Sequence, residues 1–307
     1  IAYFFKQKKA YEISTRDWSS DVCSSDLDIG QFWAELNVGN AKVKKTTANE
    51  SVTNGNAMYS IAGATFGIFS DQNCSNQIGT LTTNENGETN EVEVTAGTVY
   101  IKELSAPKGY KLDTTVHSLK VEAGKTAVLN VSDVPKVTET LVDLFKIDME
   151  TGKATAQGNA ALAGAEFTWH YYDGLYTKNN LPEKATRTWV KTTVAEKDSN
   201  GNIHSVTKLA DDYKVSGDTF YTQNEKSVLP LGTLTVEETK APDGYLLDGA
   251  YMQAGDSTEQ IKGIYLTHIT EDGELAVLSG SNQYSVSDQV IRGGVKIQKR
   301  DLETKDT

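Results

Sequence analysis

An amine and two carboxylic acids recur in this 307-residue chain at positions where apolar residues belong. Side chains two apart on a β-strand share one face of the sheet. Lys45 continues a face begun by Ala41 and Val43, Lys146 one begun by Val142 and Leu144, and Lys299 one begun by Val295 and Ile297. Glu103 follows Val99 and Ile101 in the same way, and Glu238 follows Leu234 and Val236. Asp133 follows Leu129 and Val131, and Asp288 follows Tyr284 and Val286. Isolated buried charges are costly. Each of these groups therefore either sits where a strand end meets solvent or is gathered with the others. A strand end suffices for any one of them, but three charges repeated in register point to a site. Burial disfavours charge, so a lysine there can shed its proton and become a nucleophile, while a carboxyl keeps its proton.

Other chemistry has little foothold. His117, His170, His204 and His268 are scattered, without an HExxH or Cys-x-x-Cys pattern, so neither a metal nor a cofactor is expected. A GxSxG nucleophile elbow is missing too. The net charge of −12 argues against nucleic acid or an anionic membrane as partner. No apolar run is long enough to span a bilayer. Glycine and tyrosine are plentiful and methionine is scarce, as in many β-rich secreted chains.

The elements that must position these residues come in repeats. "GTVYIKELSAPKGYKL" (97–112) returns as "GTLTVEETKAPDGYLL" (232–247), with Gly, Glu, Pro and Tyr at matching offsets. "AGATF" (62–66) and "AGAEF" (163–167) each place a Gly eighteen residues after the lysine. "NVSDVP" (130–135) answers "SVSDQV" (285–290), and "GGVKIQKRD" (293–301) restarts the pattern of "GNAKVKK" (39–45). "NENG" (84–87) and "DSNG" (198–201) can each close a hairpin. The chain thus reads as all-β, with tandem sandwiches at 39–136 and 137–290 and the first strand of a third at 291–307. Residues 28–38 are a linker or the end of a preceding domain.

The "ETKAPDGY" box, the early lysine of "KxD" (Lys146 with Asp148, Lys299 with Asp301) and the late "VSD" strand resemble Cna B-type domains. These are the SpaA-type pilin and stalk modules of Gram-positive surface proteins, immunoglobulin-like (prealbumin-like) β-sandwiches. The resemblance covers roughly residues 39–307. It implies an intramolecular isopeptide bond in each module, with a glutamate as helper acid. Carried over, Lys45 joins Asp133 with Glu103 assisting, and Lys146 joins Asp288 with Glu238 assisting; Lys299 has no partners before residue 307. The first unit departs from the pattern, with "KTT" for "KxD" and "KELSAPKGY" for the usual box, so its bond is the less secure. Such a bond is one self-directed event, so no enzyme is expected. The resemblance further implies an extracellular location on a Gram-positive cell wall. The partners it implies are neighbouring domains of the chain, with sortase-linked wall or host matrix and glycan as further candidates.

Two functions follow: a crosslinked structural stalk, or an adhesin binding a host protein or glycan through the second unit. That unit carries an insertion with "WHYYDGLY" (169–176), Trp189 and "DTFY" (218–221). These aromatics are read mainly as a cap on the core, with ligand binding as the alternative. "DSNGN" (198–202) is read as a hairpin turn rather than a calcium loop, because its Gly is fourth and not sixth. The opening stretch is different. "KQKKAYEI" (6–13) and "RDWSSDVCSSDL" (16–27) resemble, in order, a translated sequencing adapter, so residues 1–27 are set aside from the fold. Cys23 goes with them, leaving Cys74 alone and no disulfide framework.

Overall fold

The computed structural model describes residues 37–138, 143–254, 260–271, 283–294 and 297. The expectations for residues 1–27, for most of the linker, for Lys299 and for Asp301 lie outside the described residues. The protein is all-β, and its strands fall into two compact units, residues 60–134 with those up to 48, and 49–59 with those from 135 onward.

The first unit is built from β1 (Val38–Thr47), β2 (Thr65–Phe69), β3 (Gln77–Thr82), β4 (Val92–Thr95), β5 (Gly97–Ser105), β6 (Val116–Val121) and β7 (Thr126–Asp133). One sheet has the order β4-β1-β7 and the other β3-β2-β5-β6. Alternation sets the core: Ala41, Val43, Phe66, Ile68, Leu81, Val99 and Ile101 point inward and are buried together. Asn84 Oδ1 accepts the Asn86 and Glu88 amides in the "NENG" turn, which a single bridge between Thr83 and Thr89 closes. The flanking strands then part into different sheets, so this turn is a crossover rather than an extended hairpin.

The second unit begins with β8 (Asp143–Asp148), β9 (Glu166–Tyr172), β10 (Arg187–Thr192), β11 (Val194–Lys197) and β12 (Ile203–Thr207). After them come β13 (Lys214–Gly217), β14 (Tyr221–Gln223), β15 (Lys226–Val228), β16 (Gly232–Lys240), β17 (Tyr245–Ala254), β18 (Gln260–Lys262), β19 (Tyr265–Ile269) and β20 (Gln283–Val290). The orders are β13-β10-β9-β16-β19 and β11-β12-β8-β20-β17-β18, with β14-β15 a separate ribbon. "DSNG" closes the β11–β12 hairpin, where Asp198 accepts the amides of Asn200 and Asn202.

The inserted aromatics are core. Trp169, Tyr171 and Trp189 are fully buried, Phe220 stacks on Trp189 at 5.3 Å, and Tyr221 meets Tyr171 edge-on. Thr233 Oγ1 donates to Gly174 O and accepts the Tyr176 amide, so the loop after β9 covers the outer face of β16. That cover explains why β16 is buried on both faces, where simple alternation expects one. Asn56, in the 49–59 segment with the helix α1 (Glu50–Thr53), donates to Tyr171 Oη and Leu231 O.

Candidate functional site

In each unit the first and last strands are parallel neighbours, β1 with β7 and β8 with β20. Lys45 lies opposite Val131 and Lys146 opposite Val286. The acid is two residues further along in both, at Asp133 and Asp288, on the same face as the lysine. The helper strands β5 and β16 lie in the facing sheets and bring Glu103 and Glu238 across the core.

The distances are close to superposable. Lys45 Nζ is 2.6 Å from Glu103 Oε1 and 2.6 Å from Asp133 Oδ1. Lys146 Nζ is 2.5 Å from Glu238 Oε2 and 2.5 Å from Asp288 Oδ1. Both lysine side chains are 0% exposed. The amine hydrogen-bonds to the glutamate in each case, whereas neither oxygen of Asp133 or Asp288 has a hydrogen-bond partner among the described residues. The amine therefore touches the aspartate off the hydrogen-bonding direction.

Burial raises the carboxyls of Glu103 and Asp133 above their ordinary range, and pushes Glu238 up to about 8. The two helpers differ in one respect. Glu103 Oε2 also accepts the Asp113 amide at 2.8 Å, which favours its ionised form. Glu238 Oε1 has no such donor among the described residues, so desolvation acts on it with less opposition.

Two features of the site went unread in the sequence. The Phe of each GA-x-F motif stands opposite the helper glutamate, Phe66 to Glu103 and Phe167 to Glu238. Its ring lies 4.8 Å from the Lys45 amine in one unit and 5.8 Å from Lys146 in the other. The signal was present, since each Phe follows its lysine by 21 residues. The second feature is Asp148 of "KxD", fully buried, which accepts the Tyr245 hydroxyl at 2.9 Å and the Thr151 amide at 2.8 Å. Tyr245 is the tyrosine of the "APDGY" box. A turn with Gly244 at φ 87°, closed by Tyr245 N on Pro242 O, delivers it there. In the second unit the Asp148–Tyr245 hydrogen bond joins the two motifs. The first unit has Thr47 in place of this aspartate.

Among the described residues no group of His, Cys, Asp and Glu is placed to hold a metal ion. The chain matches the SpaA family, described as a prealbumin-like fold domain, over residues 37–135 and 148–260. It belongs to the SpaA prealbumin-like family. The two SpaA matches take in Lys45, Glu103, Asp133 and Glu238; the second begins after Lys146 and ends short of Asp288. The chain is also 34% identical over 88 residues to the trypsin-resistant surface T6 protein of Streptococcus pyogenes serotype M6, an alignment spanning 26% of this chain and 16% of that protein. Among solved structures, the Bacillus anthracis TIE protein matches 83% of this chain and 34% of its own, at 23% identity and TM-score 0.49. The C-terminal fragment of the pilus adhesin SpaC from Lactobacillus rhamnosus GG matches 83% of this chain and 99% of its own, at 16% identity and TM-score 0.40. No helix among the described residues is long and apolar enough to cross a membrane.

Proposed function

We propose that this SpaA-family chain is a structural stalk segment of a Gram-positive cell-surface protein or pilin, made rigid by two intramolecular isopeptide bonds, Lys45–Asp133 and Lys146–Asp288. One observation carries the reading: an amine, an aspartate and a glutamate whose carboxyl is raised by burial meet in a buried core twice, at the same register. A surface location agrees with the family and with the streptococcal surface protein that the chain resembles.

The chemistry follows from the protonation states. In the reaction neutral Glu238 turns its proton toward an Asp288 oxygen, which has no hydrogen-bond partner among the described residues, and draws charge from the carboxyl carbon, while the Lys146 amine attacks that carbon. One proton of the Lys146 ammonium passes to the Asp288 carboxylate, leaving a free amine and a neutral acid. The carbon–nitrogen bond then forms, the bond from carbon to the Asp288 hydroxyl breaks, and a second nitrogen proton passes through the glutamate to that hydroxyl, which leaves as water. The glutamate regains its proton, so the site is spent once and never turns over. Holding amine and carbonyl in contact supplies up to about 7–11 kcal/mol of the barrier. Glu103 serves the first unit in the same way, with its protonation opposed by the Asp113 amide.

Each bond ties the first strand of a unit to the last. By the loop-entropy argument used for disulfides, closures of these lengths add about 4–5 kcal/mol apiece. Force applied at the two ends of a unit passes along the bridge and leaves the hydrogen-bonded sheet unloaded. An adhesive second unit has less support, because Trp169, Tyr171 and Trp189 are buried in its core and offer no platform to a glycan. Intact-mass measurement on purified, folded protein tests the proposal. Two waters fewer than the sequence mass is the expected result, and a mass equal to the sequence refutes both bonds.

A further inference from the structure

The last strands of the two units hold equivalent positions but have different neighbours. β20 lies between β8 and β17, whereas β7 has β1 on one side and, among the described residues, no strand on the other. Asp133 O accepts the Ala48 amide and Lys125 O the Asn40 amide, so the odd-numbered residues of β7 turn their backbone groups toward β1. Thr126, Val128, Asn130 and Ser132 then direct theirs outward. In the second unit the matching outward residues, Ser285 and Ser287, pair with Gln253 and Tyr251 of β17. The first unit takes only the opening step of this pairing. Lys111 N donates to Val134 O, as Leu246 lies opposite Gln289. The chain then turns away, giving its Asp113 amide to Glu103 and entering β6 at Val116.

The consequences show in burial. Ala127, Leu129 and Val131 face the core of the first unit yet are only half-buried, and Val128 on the other face is 45% exposed. In β20, where β17 flanks the strand, Val286 and Ser287 are buried. Natural open edges are guarded by lysine, proline, a bulge or a short strand. β7, "TAVLNVSD", has eight residues and none of these guards, and its single charge, Asp133, is turned into the core.

We propose that β7 of a second copy of this chain fills that edge, antiparallel, about a two-fold axis at Leu129. This register sets Val128 against Asn130 and Thr126 against Ser132, so outward amides meet outward carbonyls on both strands. It also sets Leu129 against Leu129 and Ala127 against Val131, extending the half-buried apolar row from one copy into the other. A second copy is favoured over an unrelated strand because the sequence is self-complementary in this register: no like charges meet, Lys125 falls opposite Asp133, and Thr126 meets Ser132 on the solvent face. The inference does not depend on isopeptide bonds.

Sedimentation of the full chain across the micromolar range tests it, alone and with Val128→Lys, Ser132→Lys and, as a control on the second unit, Val215→Lys. The expected result is a concentration-dependent dimer that is lost in the two β7 variants and kept in the control. Circular dichroism and thermal melting confirm that each variant is folded. A strictly monomeric parent chain overturns the proposal and leaves the edge to a strand of some other protein. A dimer that survives both β7 substitutions overturns it as well, by placing the interface elsewhere.

Discussion

At the scale of the residue, the proposed chemistry depends on keeping one carboxyl neutral beside an amine. Without Glu238, Lys146 and Asp288 settle as an ion pair, in which the nucleophile is protonated and the electrophile is an anion. Glu238→Ala is therefore expected to fold and to stay unbonded in the second unit, losing one water where the parent is expected to lose two; mass spectrometry of the proteolytic fragments shows which unit. A loss still found between Lys146 and Asp288 removes Glu238 from the helper role. A second expectation concerns pH. Glu238 has a folded value of about 8 against an ordinary 4.5, because burial penalises its charge. A raised acid contributes stability that is complete below about pH 4.5 and is lost as pH rises through about 8. Lys146→Met prevents the bond and removes the cation that partly opposes this shift. Its second unit should lose up to about 1.4 kcal/mol of stability per pH unit across that window. Denaturant midpoints from pH 4 to 9 measure the slope, and a flat profile means that Glu238 is ionised in the fold.

At the scale of the element, the first site is held from outside as well as from within. The "NENG" turn docks on β1, where Gly87 O accepts the Lys45 amide at 2.7 Å. Gly87 has φ 73°, and a Cβ there would stand 2.1 Å from Lys45 O, a backbone atom that can yield only if β1 moves. Gly87→Ala should thus cost about 1–3 kcal/mol and displace Lys45 from Asp133. The expected readout is slowed or absent water loss in the first unit and unchanged loss in the second. Equal bonding in both units would show that the turn merely decorates β1. The second unit uses a different device, the Asp148–Tyr245 hydrogen bond, to tie the end of β8 to the start of β17.

At the scale of the whole molecule, each unit is a sandwich whose first and last strands are parallel neighbours across the proposed covalent bridge. The double variant Glu103→Ala/Glu238→Ala should keep the fold, since an amine and an aspartate remain paired in each core. It should lose about 4–5 kcal/mol per unit. Its mass should equal that of the sequence, and trypsin should cut it faster than the parent under conditions where both are folded. Matching digestion rates would separate the bridges from protease resistance.

Period-two patterning made the strands legible, because a half-buried sheet forces apolar residues onto alternate positions. The same rule exposed Lys45, Glu103 and Asp133, and their counterparts, as charges on apolar faces. Internal repetition then separated a site from a chance strand end. Patterning alone could not say that a lysine and an aspartate 88 positions apart would touch; only the family resemblance implied that pair, since the contact depends on β1 and β7 pairing in parallel at one register. Nor could it place Phe66 and Phe167 over the amines, because a ring's position on the facing sheet follows from sheet-to-sheet packing. The inserted aromatics read mainly as core in the sequence, with a binding surface as the alternative, and the burial of Trp169, Tyr171 and Trp189 decides for core. The open edge of β7 is likewise a tertiary fact. Its sequence pattern is like that of β20, and only the path taken after Tyr110 and Tyr245 determines which of the two strands gains a neighbour.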